Sequence, residues 1–159
     1  MSFADVLFKP SGRITQSQFW AGWGTLLAVN LIANFIPVLN LLVPLAMLYV
    51  GFCVYGKRLH DMNKSALWHL FIVLFTFVAL IVGFILSWPI ISSLMDANPD
   101  IMQSDPAGVG YALAPLGSAS FICFVVWIVF TIWVGIAKST PGANKFGPPS
   151  GGPSEETFA

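Results

Sequence analysis

Charge is what this chain has least of: 9% of its 159 residues are Asp, Glu, Lys or Arg, against about 25% in a soluble domain. So few ions cannot solvate a compact particle, which excludes a soluble enzyme, a nucleic-acid binder and a disordered linker. Cysteine is nearly absent too. Cys53 and Cys123 are the only two, and on the helices proposed below their depths differ by roughly 16 Å at 1.5 Å per residue. That is beyond disulfide reach, so both read as apolar fillers. Net charge is uninformative, because seven basic residues balance seven acidic ones.

What is present is apolar: 57% hydrophobic residues and a mean hydropathy of +0.81. Residues 19–56 carry no charge. As one helix they would measure about 57 Å, nearly twice a hydrocarbon core of roughly 30 Å, so the run folds back near Pro37-Val38-Leu39-Asn40. The expected spans are 19–36, 38–56, 66–87 and 116–137. Asn40 would cap the second, leaving Pro44 in its first turn where few bonds are lost; Asn63 or Ser65 would cap the third; Trp88-Pro89 would end it, and Pro115 would precede the fourth. The fold class is therefore all-α, an integral membrane four-helix bundle spanning 19–137. A rival scheme keeps 19–56 as a re-entrant hairpin. Residues 1–18 lack the features of a signal peptide and form a cytoplasmic segment, and 138–159, rich in Gly, Pro and Ser, read as a flexible cytoplasmic tail. No internal repeat relates the two helix pairs.

Charge placement sets the orientation. Lys9, Arg13, Lys57, Arg58, Lys64, Lys138 and Lys145 all fall on one side of the spans, while the connection between the third and fourth carries Asp96, Asp100 and Asp105. By the positive-inside rule both termini are cytoplasmic and the acidic connection faces outward. Trp20, Trp23, Tyr55, Trp68 and Trp133 cluster near the inner boundary and Trp88 marks the outer one, where amphipathic rings prefer to sit.

Few residues offer chemistry. Asn30 and Asn34 share a helix face near mid-membrane and serve as glue between helices or as the lining of a small channel or transporter subunit. No ionisable residue except His69 lies inside a span, which removes the usual proton relay. Gly24 with Ala28, and the 117–120 run Gly-Ser-Ala-Ser, suit close helix packing. His60-Asp61 resembles half of a metal-dependent phosphohydrolase site, but only His69 could add a ligand, so neither metal nor cofactor is expected. Asp61 instead compensates Lys57 or Arg58, four and three residues away on a helix, with His60 at headgroup level. What remains is a cytoplasmic collar of Arg13, Lys57, Arg58, Lys64 and Lys138, each worth on the order of 1 kcal/mol near an anionic leaflet.

Three segments together resemble a family of small bacterial inner-membrane proteins catalogued as domain of unknown function 805. They are Gly12-Arg13 leading to Phe19-Trp20, Lys57-Arg58-Leu59-His60-Asp61 followed by Ser65 and Trp68, and Gly142-Ala143-Asn144-Lys145-Phe146-Gly147-Pro148. The resemblance covers about residues 8–149. Asn63 and Ala66 stand where members usually carry glycine, and Pro149 where they carry Asp. It implies a multi-pass inner-membrane location and no particular reaction.

The sequence thus favours a non-enzymatic membrane module whose candidate binding residues are Arg13, Lys57, Arg58, His60, Asp61, Ser65, Trp68 and Asn144. Its expected partners are the bilayer, and anionic phospholipid or a protein at the cytoplasmic face; nucleic acid is not among them, and self-association into a homo-oligomer is left open. A channel lined by Asn30 and Asn34 is the alternative, and an enzyme acting on lipid headgroups through His60 and Asp61 comes last.

Overall fold

The computed structural model describes residues 2–97 and 104–151, and its named elements are all helices. They are α1 (Phe3–Phe8), α2 (Gln16–Ala33), α3 (Pro37–Asp61), α4 (Leu67–Ala97) and α5 (Pro106–Ile136). The chain divides into two compact units. One is Met1–Leu70 with Thr131–Ala159, and the other is Phe71–Phe130.

In the first unit, short polar signals start the helices. Ser2 and Asp5 form a capping box on α1, and Thr15 and Gln18 form another on α2, each satisfying two otherwise orphaned amides. The Thr15 box starts α2 three residues before the expected boundary at 19. The chain turns at 34–36, and α3 begins at Pro37, whose fixed φ and missing N–H suit a first helical position. Asn40 is therefore not a cap but lies within α3, and Pro44 sits inside the helix, where it removes one internal bond.

Helix α3 ends in a Schellman motif: Lys64 N–H donates to the Leu59 carbonyl (2.8 Å) and Asn63 N–H to that of His60 (3.0 Å). Asn63 takes φ = 57° to make it, the left-handed conformation that glycine and asparagine tolerate best. Its expected alternative role, capping α4, falls to Ser65, whose hydroxyl accepts from Leu67 N–H (3.2 Å). Helices α1, α2 and α3 meet at Gly22, where an added Cβ would lie 3.2 Å from both Val54 methyls and 3.5 Å from Val6. That is tighter than an ordinary contact, so a larger residue here would need the Val54 side chain to give by a few tenths of an ångström.

The long helices run further than expected. Helix α4 continues through Pro89 to Ala97, and α5 starts at Pro106 and passes through Pro115. Each internal proline forfeits one bond while holding a φ that a helix uses, so 87 and 116 are not ends. Asp105 supplies the start of α5 by accepting from Gly108 N–H (2.9 Å). Within the second unit, α4 and α5 pack closely at Gly83, where a Cβ would lie 3.0 Å from the Ala119 methyl and 3.1 Å from the Leu116 backbone. The buried Ser87 hydroxyl accepts the Leu116 N–H beside Pro115 (3.3 Å).

Three helical stretches are long and apolar enough to cross a membrane: Leu42–Asp61, Leu67–Ala97 and Pro106–Ile136. The remaining expected span, 19–36, falls on α2, which has 18 residues and opens on Gln16-Ser17-Gln18. Large apolar side chains along α4 and α5, such as Phe71, Ile85, Phe121 and Val129, are exposed, as lipid-facing residues must be in a protein whose solvent is hydrocarbon. The segment 138–151, expected to be a free tail, is fastened by the contacts described next; 152–159, and Asp100 of the acidic connection, lie outside the described residues.

Candidate functional site

The end of α3 buries ions. Lys57, Arg58 and Asp61 are fully buried, and Arg13 is 5% exposed. Isolated charges in such a place would be prohibitively costly, so each needs partners, and the fold supplies them.

Asp61 is the hub. Arg13 binds it through Nε (3.0 Å to Oδ1) and through a terminal nitrogen (2.9 Å). Arg58, one turn earlier on α3, holds Oδ2. The Ser139 hydroxyl donates to Oδ2 and the Ser150 hydroxyl to Oδ1 (2.7 Å). A carboxylate has about four acceptor positions, and these contacts fill them. The Asp61 carbonyl meanwhile accepts Thr140 N–H (2.9 Å).

Two guanidiniums against one carboxylate leave one positive charge over, and backbone carbonyls absorb it. Arg58 Nε donates to the Val134 carbonyl (3.1 Å), and its other arm reaches that of Ala137. These are the orphaned acceptors at the end of α5, where the helix dipole is negative. Gln16 covers the same end by donating to the carbonyls of Ile136 and Ala137, both at 3.1 Å. Arg13 donates to the carbonyls of Gly142 and Thr140, each at 2.7 Å. The N-terminal segment, α3, the end of α5 and the tail are thereby joined at one carboxylate.

Lys57 points elsewhere. Its ammonium donates to the carbonyls of Asp5 and Val6 (2.6 Å to Val6), closing the end of α1 as Arg58 closes α5. Asp61 therefore pairs with Arg58 and Arg13, and the Lys57 pairing is not made. His60 is half-buried: its ring stacks on Phe146 (centroids 3.9 Å apart, 10° between planes), with Nδ1 3.3 Å from the Gly12 carbonyl. Asn144 bridges the two by donating to the His60 carbonyl (2.9 Å) and accepting Phe146 N–H (2.9 Å).

Of the expected collar, Arg13, Lys57 and Arg58 are thus internal. Their partners are the chain's own carbonyls and carboxylate. Lys64 lies over the Trp133 ring (5.6 Å), Trp68 meets Trp133 edge-on (6.4 Å), and Lys138 and Lys145 are exposed. Ser65 is a helix cap. Among the described residues, Asn30 and Asn34 bond to each other within α2: the Asn34 amide donates to the Asn30 carbonyl (2.8 Å). Among the described residues no three His, Cys, Asp or Glu side chains gather as metal ligands. Ser139, Thr140, Ser150 and Gln16 were not foreseen, since single polar residues in a Gly/Pro-rich tail or a helix entry carry no spacing signal.

No curated protein and no solved structure matches the chain. The family described as protein of unknown function DUF805 matches residues 7–148, a stretch that runs from the end of α1 through Arg13, Asp61 and the Asn144 turn. The chain belongs to that family.

Proposed function

We propose that this is a non-enzymatic, multi-pass protein of the bacterial inner membrane, with both termini and the 62–66 loop in the cytoplasm. Its polar end is a rigid platform for anionic phospholipid. The carrying observation is the saturation of Asp61: its acceptors are filled by Arg13, Arg58, Ser139 and Ser150, which favours a structural role for this carboxylate and its two arginines over a catalytic or ligand-binding one. Four cations lie outside the cluster; Asp5 neutralises Lys9, so binding falls to Lys64, Lys138 and Lys145. Lys64 beside the Trp133 ring combines a cation with an aromatic that favours the interface. The orientation is supported by the single-sided placement of all seven basic residues opposite Asp96 and Asp105 in the sequence.

Two measurements test this. Reporter fusions at the C-terminus and at Asn98 should report opposite sides of the membrane; the same side for both refutes the orientation. Replacing Lys64 and Lys138 with alanine should reduce co-purifying anionic phospholipid by about five-fold per residue, the equivalent of about 1 kcal/mol each, without lowering thermal stability. Unchanged lipid in the double variant refutes the platform.

A further inference from the structure

We propose that α2 and α3 form a re-entrant hairpin: it enters the bilayer from the side of the Arg13–Asp61 cluster, turns at Asn34–Ile36 among lipid acyl chains, and returns without reaching the far surface. This rests on the membrane placement proposed above and settles how many full crossings it contains, namely α4 and α5.

The depth of water on the polar side is marked by α1. That helix lies along α3, because Lys57 holds the Val6 carbonyl and the Tyr49 hydroxyl donates to the Phe8 carbonyl (2.9 Å). Lys9 follows Phe8, but its ammonium, on a side chain 64% exposed, lies 2.6 Å from the Asp5 carboxylate, and Lys57, leaning back one turn over Cys53, holds the Asp5 carbonyl. A charge in water at that level keeps hydrocarbon away, so α3 enters the acyl region no nearer its C-terminus than about Cys53. From Cys53 back to Pro37 is about 24 Å along the axis, short of a core of roughly 30 Å.

Interfacial tryptophans give an independent ruler. Trp68 and Trp88 on the single helix α4 stand about 30 Å apart, one hydrocarbon thickness. On α2, Trp20 is separated from the helix end at Ala33 by only about 20 Å. Both legs of the hairpin fall short of a full crossing.

The turn itself is built for an apolar medium. Phe35 is 86% exposed and Val38 67%, and no charge occurs between 19 and 56, whereas the α4–α5 connection is flanked by Asp96 and Asp105. Backbone groups in hydrocarbon must be satisfied internally. Across the turn, Asn34 N–H bonds the Asn30 carbonyl (3.2 Å), Phe35 N–H that of Ile32 (3.1 Å) and Ile36 N–H that of Ala33 (3.1 Å). Pro37 brings no donor, and the Asn34 side chain is spent on Asn30.

The test uses full-length Phe35→Cys and Val38→Cys. Both positions are exposed, so neither change removes core packing, and the native Cys53 and Cys123 are buried; the unsubstituted chain gives the labelling background. A membrane-impermeant maleimide is applied to right-side-out and inside-out membranes. A permeant bimane label on the same cysteines is then challenged in vesicles with nitroxide lipids carrying the spin at the headgroup or deep in the acyl chain. The expected result is no labelling above background from either face and stronger quenching by the deep nitroxide. Labelling from either face, or stronger quenching by the headgroup nitroxide, overturns the re-entrant hairpin. Asp96→Cys, labelled only from the periplasmic face, tests the orientation separately; if it alone fails, the orientation falls while the depth measurement still decides the hairpin.

Discussion

Arg13 and Asp61 are 48 positions apart in the chain, yet a guanidinium nitrogen of one lies 2.9 Å from a carboxylate oxygen of the other with both side chains buried. The pair ties the entry of α2 to the end of α3, and the two terminal Arg13 nitrogens also hold the tail at Thr140 and Gly142. Removing one member of a buried pair typically costs about 3–5 kcal/mol, because the other charge is left uncompensated. Arg13→Ala should therefore destabilise the detergent-solubilised protein by that order and free residues 139–151 to proteolysis. Lys145→Ala should shift stability by less than about 1 kcal/mol, since an exposed cation on a turn contributes little. Equal effects of the two substitutions, read from denaturant unfolding, would mean that the cluster does not hold the tail.

At Asn63 the prediction concerns conformation. The residue sits at φ = 57°, and the turn's two bonds are made by the backbone N–H groups of Asn63 and Lys64. Asn63→Gly should be neutral or slightly stabilising, and Asn63→Val should destabilise by about 1–2 kcal/mol, the approximate penalty for a Cβ-branched residue in the left-handed region. Thermal unfolding of the two variants checks the order.

The acid limb of stability should include α1. The Asp5 carboxyl is held down to about 2 from 3.8, first by its bond from Lys9 and then by those from Ser2. A folded pKa below the unfolded one means that this contribution is complete above pH 3.8 and is lost as pH falls from 3.8 towards 2. Amide exchange over residues 3–8 should accelerate in that window, and Asp5→Asn should remove the pH dependence by abolishing the titrating group. An unchanged profile in Asp5→Asn would assign the acid sensitivity elsewhere.

How far these features were legible in the sequence depended on the range of the interaction. The all-helical character follows from the uncharged runs, and the Arg58–Asp61 pair from a three-residue spacing on one helix. Helix ends were less legible because prolines were read as stops: Pro89 and Pro115 each lose one bond without ending a helix, while Asp105-Pro106, a cap followed by a proline, was the start signal for α5. Burial of Arg13, Lys57 and Arg58 was hidden for another reason. A cation next to a membrane span looks like an interfacial charge until its acceptors are known, and here they are helix-end carbonyls from α1 and α5 together with a tail whose serines carry no pattern of their own. The departure at Asn63 has a simple physical basis: asparagine is the other residue that tolerates the conformation for which glycine is usual.

Comparing Arg58→Ala with Asp61→Asn, each measured for detergent stability and for co-purifying anionic phospholipid per folded molecule, tests most directly whether the cluster is a fastener. The saturated geometry around Asp61 predicts that both variants lose stability by about 3 kcal/mol or more, while bound lipid, held by Lys64 and Lys138, stays at the parent level. An Asp61→Asn protein that folds normally and retains more anionic lipid would contradict this, because it would show that Arg58 receives an external anion and that Asp61 only competes for it.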